Sequence, residues 1–200
     1  MASVTERKRQ PSMAVCAAVV LTAASPVTAL DNGLGLTPPM GWSSWNFWGG
    51  RVNETVLLNA ADAFVSSGLR DAGYEYINLD DGWSVGRNAT GYLVEDKTKF
   101  PRGIKFVVEY IHSKGMKFGI YTARGSKTCM GRPGSDAHET LDANLWASWG
   151  VDYLKEDSCG GTTHGTVWEQ YARMRDALNA SGRPIYFSVT QGVLFADGHS

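Results

Sequence analysis

Beyond residue 30 the chain alternates short apolar runs with longer segments in which apolar residues recur every three or four positions. The short runs are rich in β-branched and aromatic residues, which favours strands, and the longer segments have the periodicity of amphipathic helices. The predicted strands are a segment near 40–45 and the runs 74–79, 117–121, 151–155 and 184–189. Strand and helix are therefore expected to alternate without interruption.

Four amphipathic helices are predicted between these strands. Asn53 is expected to cap the first helix, because an asparagine side chain accepts a hydrogen bond from the free amides of a first turn. A glycine follows each apolar stripe, as at Gly150, and glycine is common just past the last helical residue. The four stripes are Val56, Ala60 and Phe64; Ile104, Val107, Val108 and Ile111; Leu141, Leu145 and Trp149; and Val167, Tyr171, Met174 and Leu178.

Such alternation is typical of parallel strands joined by helices, either in a doubly wound sheet or in a (β/α)₈ barrel. The phosphate-binding motifs GxGxxG and GxxxxGK[ST] do not follow the first predicted strand, which disfavours a nucleotide-binding sheet. Polar residues instead collect where strands end, and barrel enzymes have their sites at that face. About five strands fit this chain, whereas about eight close a barrel. We therefore expect an α/β fold that is the N-terminal portion of a (β/α)₈ barrel.

The composition is that of a globular chain with a core, since 43% of its residues are hydrophobic and 11% are aromatic. Its 19 Lys and Arg residues nearly balance its 20 Asp and Glu residues. A nucleic acid or an anionic membrane is therefore disfavoured as a partner, because both attract strongly basic surfaces. A neutral substrate is expected instead.

Residues 1–29 have the pattern of a secretory signal peptide. The basic stretch ERKRQPSM precedes the apolar stretch AVCAAVVLTAA, and Val27 and Ala29 suit the small-residue positions before a cleavage site. The apolar stretch is shorter than the ~20 residues that span a bilayer, although an uncleaved anchor is the alternative. We expect a mature chain that begins near Leu30, a secreted or lysosomal or vacuolar location, and no membrane association after cleavage.

The cysteines and sequons agree with export. Cleavage of the signal peptide removes Cys16 and leaves Cys129 and Cys159 as the one candidate disulfide in an oxidising compartment. The candidate N-glycosylation sites are the sequon residues Asn53, Asn88 and Asn179.

The run VDYLKEDS, residues 151–158, takes an apolar strand directly into charged residues. Because buried unpaired charges are costly, these residues either lie on a solvated loop edge or serve a site. Side chains alternate along a strand, so Lys155 and Asp157 share one face, whereas Glu156 is expected to face the helices. An ammonium beside Asp157 favours the ionised carboxylate, which suits a nucleophile or an electrostatic stabiliser.

Asp80 and Asp81 end the second predicted strand and have three interpretations. They bind two hydroxyls of a ligand, bind a metal, or cap the following turn. The metal is the weakest, because the four histidines of the chain show no ligand spacing. Aromatic residues near the same strand ends belong either to the core or to a sugar site. They are Trp42, Trp45, Trp83 and Tyr121.

Four segments carry a family resemblance. They are LTPPMGWSSWN (36–46), YEYINLDDGW (74–83), GMKFGIYTARGSKTCMGRPGS (115–135) and WASWGVDYLKEDSCGG (146–161). Together they resemble family-27 glycoside hydrolases, the α-galactosidases or melibiases and α-N-acetylgalactosaminidases. The resemblance implies a retaining exo-glycosidase that hydrolyses terminal α-D-galactosyl residues of oligosaccharides or glycoconjugates. It also implies that the rest of the barrel and a C-terminal β-sandwich domain follow residue 200, that no metal or cofactor is needed, and that a homodimer is one assembly the family allows.

The resemblance also implies roles for individual residues. Asp157 is the expected nucleophile, and Lys155 is expected to hold sugar hydroxyls beside it. Asp80 and Asp81 are expected to bind the hydroxyls at C6 and C4 of the sugar. The remaining implied residues are Trp45, which packs on the sugar, Tyr121, which lies beside the nucleophile, and Cys129 with Cys159, whose bridge lies at the rim of the site.

Three departures from the family pattern limit these expectations. Many members carry a further cysteine pair, but here the second motif is DDGW and residues 46–51 contain no cysteine. SVTQG at 188–192 replaces a Cys-Glu-Trp-like motif that contacts the C2 substituent. An α-N-acetylgalactosaminidase, a β-L-arabinopyranosidase and a non-catalytic sugar-binding protein therefore remain alternatives. The acid/base aspartate of the family lies after residue 200, so the 200-residue chain alone is expected to be inactive.

Overall fold

A computed structural model describes residues 32–161 and 164–190. In chain order its elements are β1 (Gly41–Ser43), α1 (Trp45–Trp48), a 3₁₀ turn (Gly49–Arg51), α2 (Glu54–Ser66), β2 (Tyr76–Asn78), β3 (Ser84–Arg87), β4 (Leu93–Glu95), α3 (Ile104–Ser113), β5 (Lys117–Ala123), α4 (Glu139–Trp149), β6 (Tyr153–Asp157), α5 (Val167–Ala180) and β7 (Tyr186–Val189). The predicted signal peptide, residues 1–29, lies outside the described residues.

The centre of the fold is a five-stranded sheet in the order β1-β2-β5-β6-β7. Every pair of neighbours in this sheet is parallel, which places all five carboxyl ends at one edge. The five strands match the five predicted from the apolar runs. The sheet therefore gathers residues that follow different strands into one site.

The helices begin and end where the sequence signals indicate. Asn53 caps α2, because its Oδ1 accepts a hydrogen bond from the backbone amide of Val56 at 3.1 Å. Gly150 ends α4 in the left-handed conformation, with φ of 85°, which glycine adopts without steric cost. Thr166 and Glu169 form a capping box at the start of α5. Within the described residues, no helix combines the length and apolar character needed to cross a bilayer.

The prediction of uninterrupted strand and helix alternation is wrong at one place. Strands β3 and β4 form an antiparallel hairpin between β2 and α3. Four and three residues long, these strands contain no extended apolar run. Arg87 of β3 fixes the hairpin to the domain through a bidentate pair with Asp142 of α4, with both contacts at 2.7 Å. This long-range charge pair adds to the burial of Leu93 of β4, which packs in the hydrophobic core.

Helix α4 buries a different face from the predicted stripe. Leu145 and Trp149 are partly buried, whereas Asp142 and Trp146 are fully buried. Asp142 is tolerated there because Arg87 and the hydroxyl of Ser135 both donate to its carboxylate. Burial still raises the pKa of Asp142 above its ordinary value. Because Asp142 is polar, the apolar residues of α4 alone did not indicate the face that this helix buries.

Alternation along β6 separates the core from the site. Leu154 and Glu156 are fully buried on the helix side of the sheet. Tyr153, Lys155 and Asp157 lie on the opposite face and are partly exposed. The predicted division of this strand is therefore confirmed, although the strand spans 153–157 rather than 151–155.

Candidate active site

The candidate site lies at the carboxyl ends of β2, β5 and β6. Tyr121 of β5 is the register partner of Lys155 on β6, and Asp157 is two residues further along. Asp80 and Asp81 follow β2, the neighbour of β5 on its other side. The parallel sheet thus brings together five of the residues predicted from separate motifs.

Lys155 joins the two acidic clusters. Its Nζ lies 2.8 Å from Oδ2 of Asp80 and 3.8 Å from Oδ2 of Asp157. The ammonium also lies 5.0 Å from the centre of the Tyr121 ring. Asp80 is almost fully buried, whereas Lys155 and Asp157 retain 29% and 19% side-chain exposure. The lysine therefore offsets the charge of both carboxylates while leaving Asp157 accessible to a ligand.

Two hydrogen bonds orient the Asp157 carboxylate. The Tyr121 hydroxyl donates to Oδ2 at 3.1 Å, and the Ser158 backbone amide donates to Oδ1 at 2.7 Å. Burial, followed by the charges of Asp157 and Asp81, raises the pKa of Tyr121 well above its ordinary range. Tyr121 therefore remains a neutral donor at physiological pH. The Tyr121 hydroxyl and the Ser158 amide therefore hold the Asp157 carboxylate in one orientation at the mouth of the site.

Asp80 and Asp81 are buried and held by the backbone around them. Asp81 accepts from the amide of Gly82 at 2.7 Å and from the amide of Met130 at 2.9 Å, on different oxygens. Asp80 accepts from the amide of Asp81 at 2.8 Å, in addition to its pair with Lys155. The bonds from the Asp81 and Gly82 amides cap the turn that follows β2. A carboxylate has about four acceptor positions, so both residues can still accept bonds from a ligand.

The structure contains the predicted disulfide between Cys129 and Cys159, which joins the segments that follow β5 and β6. Its Cα atoms are 5.1 Å apart. The Tyr121 hydroxyl lies 3.1 Å from Cys129 Sγ, so the bridge borders the site. Among the described residues, the one cluster with metal-ligand spacing is Cys129, Asp157 and Cys159. Because its sulfurs are oxidised to a disulfide, this cluster lacks the thiolates that bind metals.

The four candidate aromatic residues divide between core and site. Trp45 begins α1 and is 39% exposed, so its ring is available to a ligand. Trp83 is buried, donates from Nε1 to the carbonyl of Tyr121 at 2.9 Å and packs edge-on against Trp149. Trp42 packs against the core. Of the two interpretations left open for these residues, the structure therefore supports the core for Trp83, which is buried, and for Trp42, which is partly buried against it.

Sequence reasoning missed two residues that support the acidic pair. The Ser44 hydroxyl, which is buried, accepts from the Asp80 amide at 3.0 Å. Met130 contributes its backbone amide to Asp81. Ser44 lies within the first family segment, and Met130 directly follows Cys129. In the sequence, only these positions could have indicated that the two residues belong to the site.

A protein-family model described as Alpha galactosidase A matches residues 37–197. The chain belongs to glycoside hydrolase family 27. Among curated family members, the chain is 51% identical over 178 residues to a probable alpha-galactosidase of Dictyostelium discoideum, covering 88% of this chain and 46% of that protein. It is 52% identical over 163 residues to alpha-galactosidase 3 of Arabidopsis thaliana, covering 81% and 37%. The chain thus spans less than half the length of these family members.

Solved structures of the family give the same picture. The alpha-galactosidase of Saccharomyces cerevisiae aligns with a TM-score of 0.77 and 46% identity, covering 82% of this chain and 37% of that one. A family-27 β-L-arabinopyranosidase from Geobacillus stearothermophilus aligns with a TM-score of 0.64 and 26% identity, covering 78% and 48%. The prediction that this chain matches the N-terminal portion of a (β/α)₈ barrel is thereby confirmed.

Two departures from the family pattern have a structural context. Gly82 of the DDGW motif lies against Gly50, since a Cβ on Gly82 would be 3.4 Å from the Gly50 Cα. These two glycines therefore meet in the region where many family members have their further cysteine pair. Ser188 is the register partner of Lys155, so the variant SVTQG segment begins next to the site. Gln191 and Gly192 of that segment lie outside the described residues.

The predicted glycosylation sites differ in their surroundings. Asn53 is occupied as the cap of α2. Asn179 is exposed in the last turn of α5. Asn88 is exposed in the turn of the β3-β4 hairpin, where its Oδ1 accepts bonds from Thr90. Asn88 and Asn179 are therefore the two sequon residues with solvent-facing positions.

Proposed function

We propose that this protein is a retaining exo-glycosidase that hydrolyses terminal α-D-galactosyl residues. The observation that carries the proposal is the Asp157 carboxylate, which is accessible, oriented by Tyr121 and the Ser158 amide, and 3.8 Å from the Lys155 ammonium. Such a carboxylate suits nucleophilic attack on an anomeric carbon. The family membership supports the same reaction.

In the proposed mechanism Asp157 attacks the anomeric carbon and forms a glycosyl ester, which water then hydrolyses. Lys155, Asp80 and Asp81 hold the hydroxyls of the galactosyl ring, and Trp45 packs against it. A retaining enzyme also needs a second carboxyl group about 5–5.5 Å from the first, to protonate the leaving oxygen and then activate water. We assign that role to an aspartate beyond Ser200. The residues described here would accordingly bind the sugar and supply the nucleophile.

Sequence identity to proteins of known name favours galactose as the glycone. Relatives named alpha-galactosidases are 44–52% identical to this chain, whereas the family-27 β-L-arabinopyranosidase is 26% identical. One structure of the yeast enzyme contains raffinose, and it aligns with this chain at a TM-score of 0.78. We therefore propose α-galactosides as substrates ahead of N-acetylgalactosaminides and arabinopyranosides.

A location in the secretory pathway is part of the proposal. The Cys129–Cys159 disulfide is typical of proteins that mature in an oxidising compartment. We propose secretion or delivery to a lysosome or vacuole, with the signal peptide removed before Leu30. Expression of the full-length gene in a secretory host, followed by N-terminal sequencing of the product, tests this directly. An N-terminus at Met1 would contradict it.

The reaction is tested with the full-length protein and Asp157→Asn. The variant should lose α-galactoside hydrolysis by at least about 10³-fold while keeping its fold, because an amide cannot form the glycosyl ester. Rates on a panel of nitrophenyl α-galactoside, α-N-acetylgalactosaminide and β-L-arabinopyranoside identify the glycone. No turnover of any of the three by the parent protein would favour a non-catalytic sugar-binding role.

A further inference from the structure

Two loops of the candidate site are joined by the side chain of Lys99. Its Nζ donates to the backbone carbonyl of Gly50 and to that of Gly82, each at 2.8 Å. Gly50 belongs to the turn that follows α1, and Gly82 directly follows Asp81. Charge-assisted hydrogen bonds are about twice as strong as neutral ones, so this double contact is a firm link between the loops.

Lys99 is itself held firmly at its backbone. Its amide donates to the carbonyl of Asp96 at 3.0 Å, and its carbonyl accepts from the Glu54 amide at 2.9 Å. The next residue, Phe100, is fully buried. The Lys99 side chain is 23% exposed and extends from this fixed point toward the site. A rigid base makes the ammonium a fixed point of attachment rather than a freely moving surface charge.

The two loops carry the sugar-facing residues of the site. The Gly82 loop carries Asp80 and Asp81, and the Gly50 turn is continuous with the short helix that begins at Trp45. The glycine faces are in contact, and Met130 Sδ would lie 3.1 Å from a Cβ on Gly82. No covalent bond joins the loops here, since neither position is a cysteine. The position of the acidic pair relative to Trp45 therefore depends on two links: the bond from the Asp80 amide to the Ser44 hydroxyl, and the contacts across this junction.

We propose that Lys99 is a positioning residue that sets the Asp80 and Asp81 carboxylates against the Trp45 ring. This inference rests on the proposed function, because those residues are taken to bind the sugar. A displacement of about 1 Å in a binding group can cost about 10²-fold in rate. Loss of the Lys99 ammonium should therefore reduce catalysis although Lys99 touches no substrate.

The test compares Lys99→Met with Lys97→Met in the full-length enzyme. Lys97 lies two residues away, pairs with Glu95 and is 62% exposed, so it is a matched control. We measure kcat/KM on an α-galactoside per active site titrated with a fluoro-sugar, together with inhibition by free galactose. Lys99→Met should lower kcat/KM by about 10- to 100-fold and weaken galactose inhibition. Lys97→Met should stay within about threefold of the parent.

A purely structural role for Lys99 gives a different result. It would lower the yield or thermal stability of Lys99→Met without changing kcat/KM per titrated site, and that outcome overturns the inference. In a cycle with Asp81→Asn, positioning predicts that the double variant loses less than the product of the single losses. If Lys99→Met does not fold, Lys99→Gln, which has a shorter, uncharged amide in place of the ammonium, must still show a reduced kcat/KM per site. A parent enzyme that is inactive on α-galactosides contradicts the proposed function instead.

Discussion

Replacing Glu156 by glutamine should remove a pH dependence of stability and leave most of the hydrolytic activity. Glu156 is fully buried on the helix side of β6, and neither of its carboxylate oxygens has a hydrogen-bond partner. The charged groups that face it are Glu139 and Asp142 of α4, Arg173 of α5, and Arg124, which follows β5. A charge in this place would be poorly solvated.

Burial raises the pKa of Glu156 well above the ordinary value of 4.5, and the charge of Glu139 raises it further, against the opposing effect of Arg124 and Arg173. The folded state therefore holds a proton that the unfolded state releases above about pH 4.5. Stability from this group is complete below that pH and is lost as the pH rises toward the folded-state pKa. Over that interval the loss is about 1.4 kcal/mol per pH unit, or about tenfold in the folding equilibrium.

Glutamine has the shape of the protonated acid and does not titrate. The free energy of unfolding of Glu156→Gln, measured by urea denaturation, should therefore increase relative to the parent by about 1.4 kcal/mol per pH unit between about pH 4.5 and the folded-state pKa of Glu156, and then level off. Glu109→Gln is the control, because the Glu109 side chain is 63% exposed on α3. Its unfolding free energy should follow that of the parent at every pH. Parallel curves for the parent and Glu156→Gln would refute the burial of a neutral carboxyl group. A loss of activity beyond about tenfold would refute the separation of Glu156 from the face that carries Asp157.

Two further predictions concern the site. Cys129 and Cys159 should react with no thiol reagent in the non-reduced mature protein, because they are joined at the rim of the site; two reactive thiols would contradict this. Under the proposed function Asp81 is a charged acceptor for sugar hydroxyls, so Asp81→Asn should lower kcat/KM on α-galactosides far more than it lowers thermal stability. A kcat/KM within about threefold of the parent would show that Asp81 does not hold the sugar.

The sequence predicted the five-stranded parallel sheet because each strand is a short apolar run between periodic helices. It also predicted which face of β6 carries Lys155 and Asp157, because the period of two along a strand needs no tertiary information. The meeting of Asp80 with Lys155 follows from the parallel order of the strands. These features depend on the local pattern of apolar residues and on the rule that the carboxyl ends of parallel strands lie at one edge of the sheet.

The features that the sequence did not predict depend on contacts between distant residues. The β3-β4 hairpin is held to α4 by Arg87 and Asp142, which are 55 positions apart. Asp142 also lies on the buried face of α4, so the apolar residues alone did not indicate that face. The Lys99 side chain donates to backbone carbonyls of two other loops, and Met130 donates its own backbone amide to the Asp81 carboxylate. Contacts that use a backbone group leave no residue pattern. The sequence could not place Trp83 in the core or in the site, because a residue two positions after Asp81 at a strand end can belong to either.

Labelling with a fluorinated galactosyl substrate is the most direct test that Asp157 is the nucleophile. In the full-length protein, such a reagent should trap the glycosyl-enzyme ester, and mass spectrometry of the peptides should locate the added mass at Asp157. Glu156 is adjacent in sequence but faces the helices, so fragmentation within one peptide distinguishes the two. Added mass at Asp157, and its absence from Asp157→Asn, is the result expected. A label at Glu156 or at any other carboxyl group would contradict the account.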